Sequence, residues 1–143
     1  MSRDGIDIRP LRAEDFDAAY ALWCAMDAVV LRTDDNPGMF GKFLERNPGC
    51  CCAAWHGGLL AGAVMAGHDG RRGYLYHLAV APEYRRQGVG RALVEQALAA
   101  LHEQGISKCH VFVKHNSRTA ASFWSKLGWE LREDIQVNSL SMR

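Results

Sequence analysis

The run from Leu78 to Leu93, LAVAPEYRRQGVGRAL, decides how this chain is to be read. Apolar residues up to Ala81 describe a strand end, Pro82 stops it, and an apolar face resumes at Val89, where a helix begins. Between them, Arg85, Arg86 and Arg91 surround Gly88 and Gly90. Cationic side chains beside bare backbone suit three tasks: a nucleic-acid patch, a phosphate group, or a solvated helix start. The free N–H groups of a helix start carry partial positive charge and suit an anion. Glycines let a ligand approach the backbone, and arginines add charge-assisted hydrogen bonds.

Charge balance decides against the first task. With 17 basic and 16 acidic residues the net charge is +1, whereas a general nucleic-acid binder is strongly basic. The familiar phosphate motifs also fail. No GxxxxGK[ST] string occurs, and Gly88-Val89-Gly90-Arg91-Ala92-Leu93 places Leu where a dinucleotide fingerprint needs Gly or Ala.

Working outward, a single domain over residues 1–143 is expected, since this length buries a core without staples. Ile6–Leu11 alternates as a strand, and Asp15 opens an amphipathic helix carrying Phe16, Tyr20, Trp23 and Met26. Asn36-Pro37-Gly38 breaks the chain before a short helical face of Phe40, Phe43 and Leu44. Gly57-Gly58 joins two β-like runs as a hairpin, and Tyr74–Ala81 is a third strand. From Gly88 to about Gln104 a helix is expected, with Val89, Leu93, Ala97 and Leu101 on one face and Gly105 as its stop. Cys109–Lys114 reads as a strand, TAASFWSKL as a helix stopped by Gly128, and the tail from Trp129 as one or two strands. The sum is a mixed α/β (α+β) domain with helices on both faces of the sheet.

No apolar run approaches a membrane span and no signal-peptide core opens the chain, so a cytoplasmic protein without a membrane partner is expected. Cys50-Cys51-Cys52, Cys24 and Cys109 lack zinc spacing or a disulfide framework and read as small hydrophobes, the triplet in a strand, with no metal site.

The stretch 78–93 resembles the signature of the GNAT (GCN5-related N-acetyltransferase) superfamily, [R/Q]-x-x-G-x-[G/A] after a strand ending in x-V-x-P. Arg85-Arg86-Gln87-Gly88-Val89-Gly90 matches it in order. Asn116 and FWSKLGW (Phe123–Trp129) resemble the family's second motif, and IRPLRAEDFDAAYALW its opening strand and helix. With GHDGRRG before the central strand, the chain most resembles small stand-alone bacterial members of the YpeA type.

The resemblance implies a mostly antiparallel mixed sheet of six to seven strands, about four helices and one splayed parallel pair, Tyr74–Ala81 and Cys109–Lys114. It implies acetyl-coenzyme A (acetyl-CoA) in that gap. The backbone of Leu78, Ala79 and Val80 would meet the pantetheine arm, and one N–H would polarise the thioester carbonyl. The N–H groups from Arg86 to Arg91, through Gln87, Gly88, Val89 and Gly90, would cradle the pyrophosphate. Arg85, Arg86 or Arg91 would reach the 3′-phosphate, and Asn116 and Trp124 would meet the coenzyme arm.

The implied reaction is direct attack of a primary amine, of a small molecule or peptide, on the thioester in a ternary complex. The amine must first lose a proton, so a general base is expected. His77 is the first candidate and Tyr76 the second, with strand alternation placing His77 opposite Tyr76 and Leu78. The family commonly has a Tyr at the position of Trp124 to protonate the thiolate, which an indole cannot do. Water, Tyr84 or His115 would supply that proton, or the thiolate would leave bare. This departure motivates the alternative, a catalytically silent acyl-CoA-binding or sensing module. The acceptor site is expected near Trp23, Leu31, Arg32 and the acidic pair Asp34-Asp35, which could hold a cationic amine. Many relatives form homodimers, although no segment here demands one.

Overall fold

A computed structural model describes residues 5–26 and 29–142. The chain divides into two compact units, one ending at Phe112 and the other beginning at Val113. The first holds a five-stranded sheet in the order β1-β2-β3-β4-β5. Its strands are β1 (Ile6–Pro10), β2 (Cys52–His56), β3 (Leu59–His68), β4 (Gly73–Val80) and β5 (Cys109–Val111). The first four run antiparallel, and β5 lies parallel to β4. The β2–β3 hairpin turns at Gly57-Gly58, with Gly57 at φ 61°.

Helix α3 (Val89–Glu103) covers one face of this sheet. Its stripe Val89, Leu93, Ala97 and Leu101 is at most 1% exposed, as the i, i+4 spacing requires. The seat depends on missing side chains: a Cβ at Gly62 would come within 3.0 Å of the Ala79 carbonyl and Leu93, and one at Gly73 within 2.9 Å of Leu101.

Helices α1 (Phe16–Cys24) and α2 (Pro37–Arg46) supply the cluster on the other face. Phe16, Ala19, Trp23 and Phe40 pack there with Ala53, Trp55, Ala63 and Met65. Asn36 starts α2 by accepting the Met39 N–H at 3.0 Å, with Pro37 at the first helical position. Asn47 ends it and is the buried polar residue of this face. Its Oδ1 accepts the His68 N–H at 3.0 Å, tying the helix end to β3.

The cysteine triplet is buried, but only Cys52 lies in β2; Cys50 ends the preceding turn and Cys51 links it to the strand. Burial pushes the thiols of Cys51 and Cys52 up to about 12, as expected of inert core groups. Cys24 departs from the reading as a core hydrophobe, because it sits exposed at the end of α1.

The second unit contains α4 (Arg118–Lys126), capped by Ser117 Oγ accepting the Ala120 N–H at 3.3 Å. Gly128 (φ 90°) stops it, and Trp124 packs edge-on against Phe123 and Trp129 at 5.1 and 4.8 Å. The expected sixth and seventh strands are absent: no strand follows Val111 among the described residues, so β5 is also shorter than Cys109–Lys114. Strands need a ladder partner and a regular two-residue pattern. Beyond Trp129 the alternation holds at Ile135 and Val137 and again at Leu140 and Met142, and all four side chains are exposed. No helix among the described residues is long and apolar enough to cross a membrane.

Candidate active site

Strand β4 leaves its parallel partner early. Gly73, Tyr74 and Leu75 pair with Cys109, His110 and Val111, and β4 then continues to Val80 with no paired strand on that side among the described residues. On its other side the register with β3 slips. Ala79 opposes Ala63 while Tyr76 opposes Met65, so His77 and Leu78 together face Val64 alone. This is a β-bulge, a device that re-aims a side chain beside a site. His77 takes its kink at φ 54°, a left-handed conformation that costs a non-glycine residue about 1–2 kcal/mol. The Trp23 indole secures it by donating to the His77 carbonyl at 2.6 Å.

The bulge corrects the expected alternation. Tyr76 and His77 do not lie on opposite faces; both line one pocket of about 350 Å³. Phe16, Phe40, Phe43 and Met65 wall it, and Arg32, Asp34 and Asp35 of the loop before α2 contribute its charges. Asp35 Oδ1 lies 2.9 Å from His77 Nε2, and Asp35 Oδ2 accepts the Arg32 N–H at 2.7 Å. A carboxylate can only accept, so Nε2 carries a proton and Nδ1 holds the lone pair of the neutral ring. The expected acidic pair is therefore divided: Asp35 is engaged in positioning His77, and Asp34 is the exposed carboxylate. Of the residues expected around an acceptor, Arg32 and Asp34-Asp35 line the pocket, whereas Trp23 acts through the His77 backbone and Leu31 is not among the lining residues. Burial first, then neighbouring Tyr74, raises the Tyr76 phenol above its ordinary value.

At the far end of β4 the Ala81 N–H bonds Ala61 at 2.8 Å on the β3 side. By alternation the Val80 N–H and carbonyl face the open edge. Arg85 Nε indeed reaches the Val80 carbonyl at 3.0 Å, and its Nη2 lies 3.1 Å from Met26 Sδ. A short 3-10 turn, Pro82–Tyr84, leads to Arg86 (φ 62°) and Gly88 (φ 80°), which caps α3 without a side chain. The first intrahelical bond runs from Ala92 to the Gly88 carbonyl at 3.0 Å. The N–H groups of Val89, Gly90 and Arg91 precede it and have no intrahelical acceptor. Gln87 donates to the Glu83 carbonyl at 3.2 Å and stiffens the turn.

Of the three arginines, Arg85 is held by Val80 and Arg91 pairs on the surface with Glu95 at 3.0 Å. Arg86 forms no ion pair among the described residues. Tyr84 is engaged too, its hydroxyl 3.0 Å from His56 Nδ1. In the second unit Asn116 takes φ 64° immediately before the Ser117 cap, and His115 is exposed. Sequence reasoning missed the Asp35–His77 pair and the share of Phe43 and Met65 in the pocket, because neither has a local signature.

Residues 12–129 match the family model described as the acetyltransferase (GNAT) family. An acetyltransferase of Pectobacterium atrosepticum is 32% identical over 133 residues, covering 92% of this chain and 93% of that protein. Among solved structures, an aminoglycoside acetyltransferase from an uncultured soil metagenomic sample, in complex with sisomicin, aligns with TM-score 0.78. It is 17% identical and covers 100% of each chain. A PaiA N-acetyltransferase of Thermoplasma acidophilum, in complex with coenzyme A, aligns with TM-score 0.74 at 20% identity, covering 91% of this chain and 92% of the other.

Proposed function

The chain belongs to the acetyltransferase (GNAT) family, whose enzymes use acetyl-CoA, and from that premise we propose that it transfers acetyl to a primary amine by direct attack, with His77 as general base. The observation that carries this reading is the bulge. It brings His77, fixed by Asp35, into an apolar pocket beside the edge of β4 that β5 leaves unpaired.

The residues present fit the coenzyme. Leu78, Ala79 and Val80 lie along the open edge, and the outward Val80 N–H is available to an extended polar arm. Arg86 and Gly88 shape a turn from which the N–H groups of Val89, Gly90 and Arg91 emerge uncapped, a site for pyrophosphate oxygens. The bound coenzyme supplies an activated acetyl carbonyl and a thiolate leaving group. The chain's own part is to desolvate the amine against Phe16, Phe40 and Met65 and to accept its proton at His77 Nδ1.

We extend the resemblance to Asn116 and Trp124 as contacts of the coenzyme arm, and to residues 1–143 as one catalytic domain working in the cytoplasm. Trp124 has no acidic proton, and Tyr84 is bonded to His56, so the thiolate is protonated by water or leaves bare. The test has two arms. Calorimetry should show acetyl-CoA binding that Gly88→Asp abolishes without unfolding the protein. A thiol-release assay over an amine panel should then show turnover. Tight binding with no turnover on any amine would instead establish a silent coenzyme-binding module.

A further inference from the structure

The pocket beside His77 is more specific than acetyl transfer requires. Its wall is aromatic and thioether, from Phe16, Phe40, Phe43 and Met65, and Met39 stands half exposed at its rim. Its polar side is small and mixed in sign. Asp35 has both oxygens occupied, one by His77 and one by the Arg32 N–H. The polar groups left to meet a ligand are His77 Nδ1, the Tyr76 hydroxyl, the Asp34 carboxylate and the Arg32 guanidinium, and the last forms no ion pair among the described residues. An anion-binding and a cation-binding group thus stand over one apolar wall.

We propose that the acceptor is a free α-amino acid with an aromatic or large aliphatic side chain. The amine faces His77 and Asp34, the carboxylate faces Arg32, and the side chain lies on the aromatic wall. This assignment rests on the acetyl-transfer reading above. A polycationic sugar meets one available carboxylate and is repelled by Arg32, and its hydroxyls would be desolvated against Phe rings at a cost. A simple arylalkylamine or a peptide amine has no carboxylate beside the nitrogen, so Arg32 goes unanswered. The volume of about 350 Å³ is near the small end of ligand pockets and suits a single residue.

The step balances without further reagents. The ammonium gives one proton to His77 Nδ1, and the lone pair this frees forms the N–C bond to the acetyl carbonyl. The C–S bond breaks with its electron pair on sulfur, the second N–H proton is lost as the amide forms and passes through solvent to the thiolate, and His77 releases the first proton to solvent. The products are an N-acetyl amino acid and coenzyme A.

The test uses the full chain with four probes: phenylalanine, phenylalaninamide, phenethylamine and sisomicin. Thiol release at saturating acetyl-CoA should give phenylalanine a kcat/KM at least about tenfold above each of the others, the size of one charge-assisted contact. In Arg32→Gln that ratio should collapse toward one, with Arg32→Lys between them and melting temperatures equal. Calorimetry of phenylalanine against the protein loaded with unreactive coenzyme A should show a matching loss in Arg32→Gln. Equal or faster turnover of the amide, phenethylamine or sisomicin would overturn the assignment, as would a preference that survives Arg32→Gln. If no amine turns over, the transfer reading fails, and the calorimetric titration still decides the pocket: phenylalanine binding that depends on Arg32 supports it, and absence of binding overturns it.

Discussion

Asp35 Oδ1 and His77 Nε2 meet at 2.9 Å across 42 residues of sequence, joining the loop before α2 to the bulge in β4. Asp35 also grips the loop itself through the Arg32 N–H, so it sets both the ring's tautomer and the mouth of the pocket. His77→Ala should lower kcat about a hundredfold, the lower bound for a lost general base. Asp35→Asn should lower kcat about tenfold with coenzyme affinity unchanged, measured by steady-state kinetics and calorimetry. A kcat unchanged in His77→Ala would make the histidine a structural residue.

The indole of Trp23 holds the His77 carbonyl at 2.6 Å while its ring sits edge-on, 5.1 Å from the imidazole. Trp23→Phe keeps an aromatic ring in the cluster and deletes the donor. The part-buried carbonyl then loses its donor, and unfolding in urea should show a loss of about 1 kcal/mol. Because that hydrogen bond secures the left-handed residue, kcat should fall further than in an equally destabilised variant at the distant Leu101. Equal losses would mean that the bulge is held by strand pairing alone.

The elements legible in the sequence were those with a dense local pattern. The stripe of α3, the Gly57-Gly58 hairpin and the Gly88 turn each carry their own signal. The Tyr76–His77 arrangement does not. Alternation predicts opposite faces, and only the mismatch between Ala63–Met65 and Tyr76–Ala79 reverses it. The tail illustrates the converse: a few apolar residues suggest a strand, but a strand exists only through a partner that local sequence does not specify. The cationic stretch was legible as a cradle, whereas the division of labour among its arginines depends on Val80 and Glu95, one of them on the strand before it.

Two glycines on the α2 side should respond oppositely to alanine. A Cβ at Gly67 would fall 2.7 Å from Asn47 Nδ2 and 2.8 Å from Phe43 Cζ, inside the contact that ends α2. Gly67→Ala should destabilise by about 1–3 kcal/mol through overpacking. Gly41 lies within α2 with nothing within 4 Å of its Cβ position. There alanine should stabilise by about 0.5–1 kcal/mol, since it relieves the glycine's helix penalty. Thermal melts of the two variants check both signs.

The buried thiols give an alkaline prediction. Burial raises Cys51 and Cys52 from an ordinary value near 9 to about 12. A raised acid favours the protonated form in the folded state, so its stabilising contribution is complete below pH 9. It is then lost as pH rises from 9 toward 12. Each thiol adds a slope of about −1.4 kcal/mol per pH unit across that window. Cys52→Ala should unfold with a flatter alkaline slope than the wild type, and exposed Cys24 should be the fastest to react with a thiol reagent at pH 8. Rapid modification of the triplet in the folded protein would contradict the packing.

The three arginines of the cradle should separate in coenzyme binding. Arg85 is spent on the Val80 carbonyl and Met26, so its removal acts by loosening the strand end. Arg91 forms an exposed i, i+4 pair with Glu95, worth a few tenths of a kcal/mol, and phosphate can displace it cheaply. Arg86 has no ion pair among the described residues and sits in the left-handed turn beside the uncapped start of α3. Arg86→Glu should therefore weaken coenzyme A binding by about a hundredfold or more, since it replaces an attraction to phosphate with a repulsion. Arg91→Gln should cost about threefold or less. The Arg86 effect should shrink as salt is raised, because the contact is exposed and screened. Calorimetry with coenzyme A and with its 3′-dephospho form identifies the phosphate involved: if Arg86 serves the pyrophosphate, its loss is the same for both ligands, and if it serves the 3′-phosphate, the loss disappears with the dephospho form.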